Sequence, residues 1–142
     1  MCSSDLITLE QELDLAKSFL GIERVRFGDR LRIETELDPE CMRCPAPPLL
    51  IQPLVENAIT HGVAPLIEGG VVRITARRVE SCVEVEVENP CDPDRGVSRG
   101  AGVGLRNVRE RLQNIYGREA FVASENRGNR FTVQVRWPCA LS

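Results

Sequence analysis

Glu56, Asn57 and His61 stand in the largely apolar segment that runs from Leu49 to His61. At ~100° per residue, Leu50, Ile51, Leu54, Val55, Ala58 and Ile59 cover about half of a helix circumference. Asn57 and His61, four residues apart, share one margin of that arc, and Glu56 falls further toward solvent. An asparagine at such a margin can ligate a hard cation through its amide oxygen. Magnesium takes few protein ligands and leaves its other positions to water and phosphate oxygens. One asparagine beside a nucleotide meets that need without a cluster of Asp and His. The same three residues also suit a plain helix boundary with satisfied hydrogen bonds, and the helix alone does not separate the two readings.

Downstream, Gly100, Gly102 and Gly104 precede a second helical segment. Free N–H groups and the dipole at a helix start favour anions, and a chain without Cβ lets phosphate oxygens come close. Arg95, Arg99 and Arg106 add positive charge nearby. A glycine-rich turn without a ligand is the competing reading. Two other phosphate motifs are excluded. A P-loop needs Gly-Lys-Ser/Thr, and no lysine follows a glycine here. The dinucleotide fingerprint needs a short strand–loop–helix unit, whereas the loop after Glu88 is long and the spacing is Gly-x-Gly-x-Gly.

The elements that must hold these residues are legible in the hydrophobic pattern. Thr8 with Gln11 has the form of a capping box. Leu6, Leu9, Leu13, Ala16 and Leu20 follow it at helical spacing, which suits either packing on the same domain or a dimer seam. Leu31, Ile33, Thr35 and Leu37 alternate with charged residues as a half-buried strand, and residues 38–48 read as a proline-rich loop. Val72, Ile74 and Ala76, then Val83, Val85 and Val87, read as hairpin partners with arginines opposite glutamates on the outer face. A loop is expected from about Asn89 to Val103 and a helix from Gly104 to Tyr116, with Leu105, Val108, Leu112 and Ile115 inward. Two final strands are expected over about 120–125 and 130–137.

Every strand alternates, so one face of the sheet is wet and helices cover the other. The expected class is α+β, a two-layer sandwich with a mixed, mostly antiparallel sheet. The 142 residues suffice for a real core. A net charge of −3 and an aromatic content of 4% argue against nucleic acid as a partner. No apolar run has the length of a membrane span, and the first residues lack the form of a signal peptide. The six cysteines, including Cys41 and Cys44 as a lone Cys-x-x-Cys, read as reduced thiols, with a metal or redox pair as the lesser alternative.

Two stretches together, Pro48–Gly62 and Gly102–Leu112, resemble the ATP-binding domain of sensor histidine kinases. That domain belongs to the wider superfamily of gyrase, heat-shock chaperone, histidine kinase and mismatch-repair ATPases. The lead-in Leu20–Phe27 is similar to the LytS-type branch of membrane kinases. The resemblance covers about Leu6 to Pro138 and implies a left-handed βαβ (Bergerat-type) fold with ATP between the Asn57 helix and the glycine loop. It implies Asn57 as the Mg2+ ligand, and Gly100, Gly102, Gly104 and Leu105 as phosphate contacts. His61 would line the ATP pocket, Asn89 would read adenine, and Asn129 would stand near the last strand.

Glu56 is the nearest carboxylate that could act as a base, although relatives place a catalytic Glu four residues before the asparagine, where Pro53 stands. Further departures are Asn89-Pro-Cys-Asp-Pro93 in place of Asp-x-Gly-x-Gly, and Thr60 in place of a phosphate-binding lysine. Residues 1–27 would be the end of a dimerisation and phosphoacceptor region, and residues 28–142 the catalytic domain.

The implied whole is a homodimeric kinase on the cytoplasmic side of a bacterial inner membrane. It would pass a phosphoryl group to a histidine outside this chain and then to a response regulator. His61 lies on the ATP-site helix, so autophosphorylation of this chain alone is not expected. The altered adenine box leaves a second expectation, a degenerate domain serving as a protein-interaction or dimer module.

Overall fold

The capping box forms as its spacing predicts. The Thr8 hydroxyl accepts from the Gln11 N–H at 3.1 Å, and the Gln11 side chain accepts from the Thr8 N–H at 3.0 Å. This start launches helix α1, Leu9–Phe27. The two-residue strand before it, β1 (Ile7–Thr8), pairs antiparallel with β3 (Pro45–Ala46). The coordinates are a computed structural model that describes residues 6–91 and 99–139.

Strands β2 (Leu31–Leu37), β4 (Gly70–Val79), β5 (Cys82–Pro90), β6 (Phe121–Arg127) and β7 (Arg130–Pro138) form one sheet of order β2-β4-β5-β7-β6. Only β2 and β4 are parallel, and the chain between them contains the short helix α2, Gln52–Ala58. Helix α3 spans Arg99–Tyr116. The inward rows of the strands (Val72, Ile74 and Ala76; Val83, Val85 and Val87; Val133, Val135 and Trp137) join Leu54, Val55, Ala58, Val108 and Leu112 of the helices in one buried cluster. This is the expected α+β sandwich with a mixed, mostly antiparallel sheet.

Leu9, Leu13, Ala16 and Leu20 belong to the same cluster. The stripe on α1 therefore packs within the domain and is not left for a dimer seam.

Other details depart from the sequence reading. Ile115 is 49% exposed, whereas Leu105, Val108 and Leu112 point inward as expected. The α3 backbone is helical from Arg99, so Gly100, Gly102 and Gly104 lie in its first turns and not in a loop. The six cysteines are not all reduced: Cys44 is joined to Cys139 across 95 residues of sequence. That bond ties the end of the chain to the loop before α2, where the Trp137 indole N–H also donates to the Pro45 carbonyl at 2.8 Å. Cys41, the other half of the Cys-x-x-Cys, is buried, and its thiol donates to the Asp38 carbonyl at 3.1 Å. Burial, with Asp38 beside it, pushes that thiol above its usual pKa.

The wet face carries the expected match of arginine to glutamate. Arg73 stands opposite Glu88, and Arg77 opposite Glu84. Glu84 is only 1% exposed because Arg77 and Arg136 close over it, with Arg77 Nε at 2.7 Å and Arg136 Nη2 at 2.6 Å from its oxygens. Burial pushes the Glu84 carboxyl up, but the hydrogen bonds from Arg136 and Arg77 outweigh it and hold the group below the ordinary value of 4.5. Its stabilisation is therefore present above the unfolded-state value and is lost as pH falls through the lower folded value. Glu84→Gln is expected to destabilise the fold by ~1 kcal/mol at neutral pH, with the difference from wild type vanishing in acid. Urea unfolding at several pH values checks this; a gap that persists unchanged at pH ~3 contradicts it.

Candidate nucleotide site

The helix that carries Asn57 starts from a proline-rich turn. Leu49 sits at φ 58, and α2 begins at Gln52, later than the Leu49 start read from the pattern. Pro53 lies in its first turn, where the missing N–H costs nothing. Leu54, Val55 and Ala58 are buried, Asn57 is half-buried and Glu56 is exposed. The α-helix then widens into a π-type turn over Ile59–Val63, with the Ala64 N–H bonded to the Ile59 carbonyl at 2.8 Å. Such insertions recur at functional sites. His61, half-buried, lies in this wider turn and not in the α-helix proper.

Gly62 sets how closely that turn meets the sheet. A Cβ there would stand 2.4 Å from Asn89 Nδ2 and 2.9 Å from its Cγ. Asn89, near the end of β5, is thus packed against Gly62 in the wider turn. It is 4% exposed, and its side-chain amide donates to the Pro90 carbonyl at 2.7 Å. In the β6–β7 turn, Asn129 accepts from the Cys91 N–H at 2.8 Å through its backbone carbonyl, and so stands at the same end of the sheet.

Asn89 and Asn129 thus stand at one end of the sheet, and Asn89 lies against the wider turn that follows Asn57 and contains His61. Glu56 does not share their setting: its carboxylate faces solvent and accepts from Gln52 Nε2 at 3.2 Å, one helical turn away. A helix leaves only the N–H groups of its first turn open, so in α3 these lie about Arg99 and Gly100, whereas those of Gly104 and Leu105 fall within the intrahelical ladder. Leu105 is buried in the core. Arg95, one of the nearby positive charges, lies outside the described residues.

Sequence reasoning missed three contributors. Gly62 is marked only by a glycine near a helix end. Glu12 and Arg111, described below, grip the turn before α2 from distant parts of the chain and leave no local pattern.

The fold places the chain in a class. Its backbone superposes on the nucleotide-free catalytic domain of histidine kinase ThkA with a TM-score of 0.71, covering 94% of this chain and 95% of that one at 18% identity. Full-length ShkA in complex with AMPPNP gives 0.68 at 19% identity, over 96% of this chain and 32% of ShkA. The architecture is that of histidine kinase catalytic domains.

Sequence relatives agree. The chain is 32% identical over 142 residues to the sensor histidine kinase YesM of Bacillus subtilis (strain 168), covering 95% of this chain and 24% of YesM. It is 38% identical over 120 residues to YpdA of Escherichia coli (strain K12), covering 78% of this chain and 21% of YpdA. The sensor protein LytS of Staphylococcus haemolyticus (strain JCSC1435) is 29% identical over 147 residues, covering 95% of this chain and 25% of LytS. No protein-family model matches the chain. These relatives are sensor histidine kinases, LytS among them, and the chain spans about a quarter of their length.

Proposed function

We propose that this chain is the ATP-binding catalytic domain of a two-component sensor kinase, and that it positions Mg-ATP for phosphoryl transfer to a histidine outside residues 1–142. The observation that supports the reading is the close approach of Asn89 to Gly62, in the turn that contains His61 and follows the helix of Asn57.

The donor set fits the group. The half-buried amide of Asn57 offers one oxygen to a magnesium ion, and the ion's remaining positions suit water and phosphate oxygens. When bound, magnesium supplies charge neutralisation at the phosphates. The rest falls to the chain. Asn57 orients the triphosphate, and the open N–H groups at the start of α3, about Gly100, face its oxygens; Gly102, Gly104 and Leu105 would contribute theirs only if the first turns of α3 unwind. Asn89, whose amide N–H is given to Pro90, offers its amide oxygen to the adenine amino group, His61 walls the pocket, and Asn129 borders it. Glu56, exposed and bonded to Gln52, is the weakest candidate for a base.

The phosphoacceptor helix, a response regulator, a homodimeric assembly and attachment to a bacterial inner membrane belong to the whole protein in this reading. Calorimetry with magnesium and AMPPNP tests it. Saturable binding is expected, and a folded chain that gives no heat at millimolar nucleotide supports an interaction module without turnover. A label from γ-labelled ATP that enters this chain alone and disappears in His61→Ala would sink the assignment of the acceptor to another segment.

A further inference from the structure

The turn Pro48-Leu49, from which the Asn57 helix departs, is held by two side chains that belong to neither the turn nor the helix. Glu12 of α1 is fully buried. Its Oε1 accepts from the Ile51 N–H at 2.8 Å, and its Oε2 from the Leu49 N–H at 3.2 Å. Arg111 of α3 reaches the opposite groups of the same turn. Its Nη2 donates to the Pro48 carbonyl at 2.6 Å, and its Nη1 to the Leu49 carbonyl at 2.8 Å. The clamp accounts for the left-handed backbone at Leu49, a conformation that a residue with a branched side chain rarely keeps unless its surroundings impose it. The Leu49 side chain, 55% exposed, is not what imposes it.

Helix α2 has no side-chain cap of its own at Ile51. A local Ser or Asp is the ordinary way to satisfy such a start. Burying a carboxylate from another helix is the costlier way, and breaking such a contact leaves groups unpaired inside the protein. The remote contact adds a geometric tie that a local cap lacks. Glu12 couples the start of α2 to α1, and Arg111 couples it to α3, the helix whose first turns hold Gly100, Gly102 and Gly104.

We infer that Glu12 and Arg111 are positioning residues for the nucleotide site: together they set where α2, and hence Asn57, stands relative to the start of α3. The inference rests on the nucleotide-site reading above. A supporting contact that loosens a site without unfolding the domain weakens binding even though it never touches the ligand.

The test is calorimetry of the 142-residue chain with magnesium and AMPPNP, at a temperature where circular dichroism shows each variant folded. Glu12→Gln keeps the size of the side chain but turns an amide NH2 toward one of two N–H donors. Arg111→Met, at a half-buried position, keeps the stem and removes the donors, so it carries the test if Glu12→Gln fails to fold. Each is expected to weaken binding about tenfold, and the double variant by less than the product, because both act on one turn. Amide exchange across residues 49–58 is expected to quicken in both. Val83→Ala, in the core of β5, lowers stability without removing a hydrogen bond of the turn, serves as a control, and is expected to keep wild-type affinity. Wild-type affinity in the folded clamp variants, or an equal loss in Val83→Ala, overturns the inference and leaves the nucleotide site standing. A folded wild-type chain that binds no nucleotide overturns the site reading, and this inference with it.

Discussion

Asn57→Ala is expected to lower the affinity for Mg-AMPPNP on the order of 100-fold, ~3 kcal/mol, and to remove most of the benefit of magnesium. The size follows from the donor set. Asn57 is half-buried at the margin of α2, and the carboxylate beside it, Glu56, is turned to solvent and bonded to Gln52. No neighbouring oxygen on that helix replaces the amide. Loss of the amide should leave the fold intact, because the buried face of α2 is carried by Leu54, Val55 and Ala58. His61→Ala should cost less than about tenfold, since a wall contributes packing and not a metal bond. Glu56→Gln should change affinity little. Titration of the three variants with and without magnesium orders these effects. An Asn57→Ala chain that keeps wild-type, magnesium-dependent affinity would remove Asn57 from the metal role.

Much of the scaffold behind this prediction was legible in the sequence because its causes are local. The Thr8–Gln11 box, the alternation along β4, β5 and β7, and the facing of Arg73 with Glu88 and Arg77 with Glu84 each follow from spacing within one element or across one hairpin. That Asn57 and Asn89 serve one site was implied by family resemblance, not by periodicity. What stayed hidden depends on contacts between distant segments. Glu12 and Ile51 are joined across 39 residues and Arg111 and Pro48 across 63, and neither pair leaves a repeating pattern. The Cys44–Cys139 bond was missed because cysteine spacing carries no information about a partner 95 residues away. Ile115 was placed inward by its helical phase, yet α3 ends one residue later, where the apolar arc has no sheet left to cover it. Three glycines near the start of α3 read as a loop because glycine is a poor helix former, at ~1 kcal/mol each relative to alanine. The backbone is helical there nonetheless.

Gly69→Ala is expected to be among the most destabilising single-methyl changes in the chain, at about 3–4 kcal/mol. Two independent costs add. Gly69 has φ 68, a conformation that alanine adopts at a cost of ~1 kcal/mol or slightly more. The added Cβ would also stand 2.0 Å from the Arg30 carbonyl oxygen and 2.7 Å from its carbon. Those atoms are backbone, so no rotamer change relieves the clash. Arg30 cannot retreat freely. It precedes Leu31, which opens β2 and pairs with Gly70 at the start of β4. Its Nη2 also donates to the Leu66 carbonyl at 2.6 Å, within the loop that leaves α2. A shift at this point therefore strains the only parallel pairing in the sheet and the exit of the Asn57 helix together. Gly117→Ala separates the two costs, because Gly117 has φ 64 but nothing within 4 Å of the added methyl. It should lose only ~1 kcal/mol. Urea unfolding of the two variants under one condition decides the matter. Equal losses would mean that the contact with Arg30 relaxes and only the backbone conformation counts. A much larger loss at Gly69 means that close approach at the β2–β4 start sets the position of the loop behind α2.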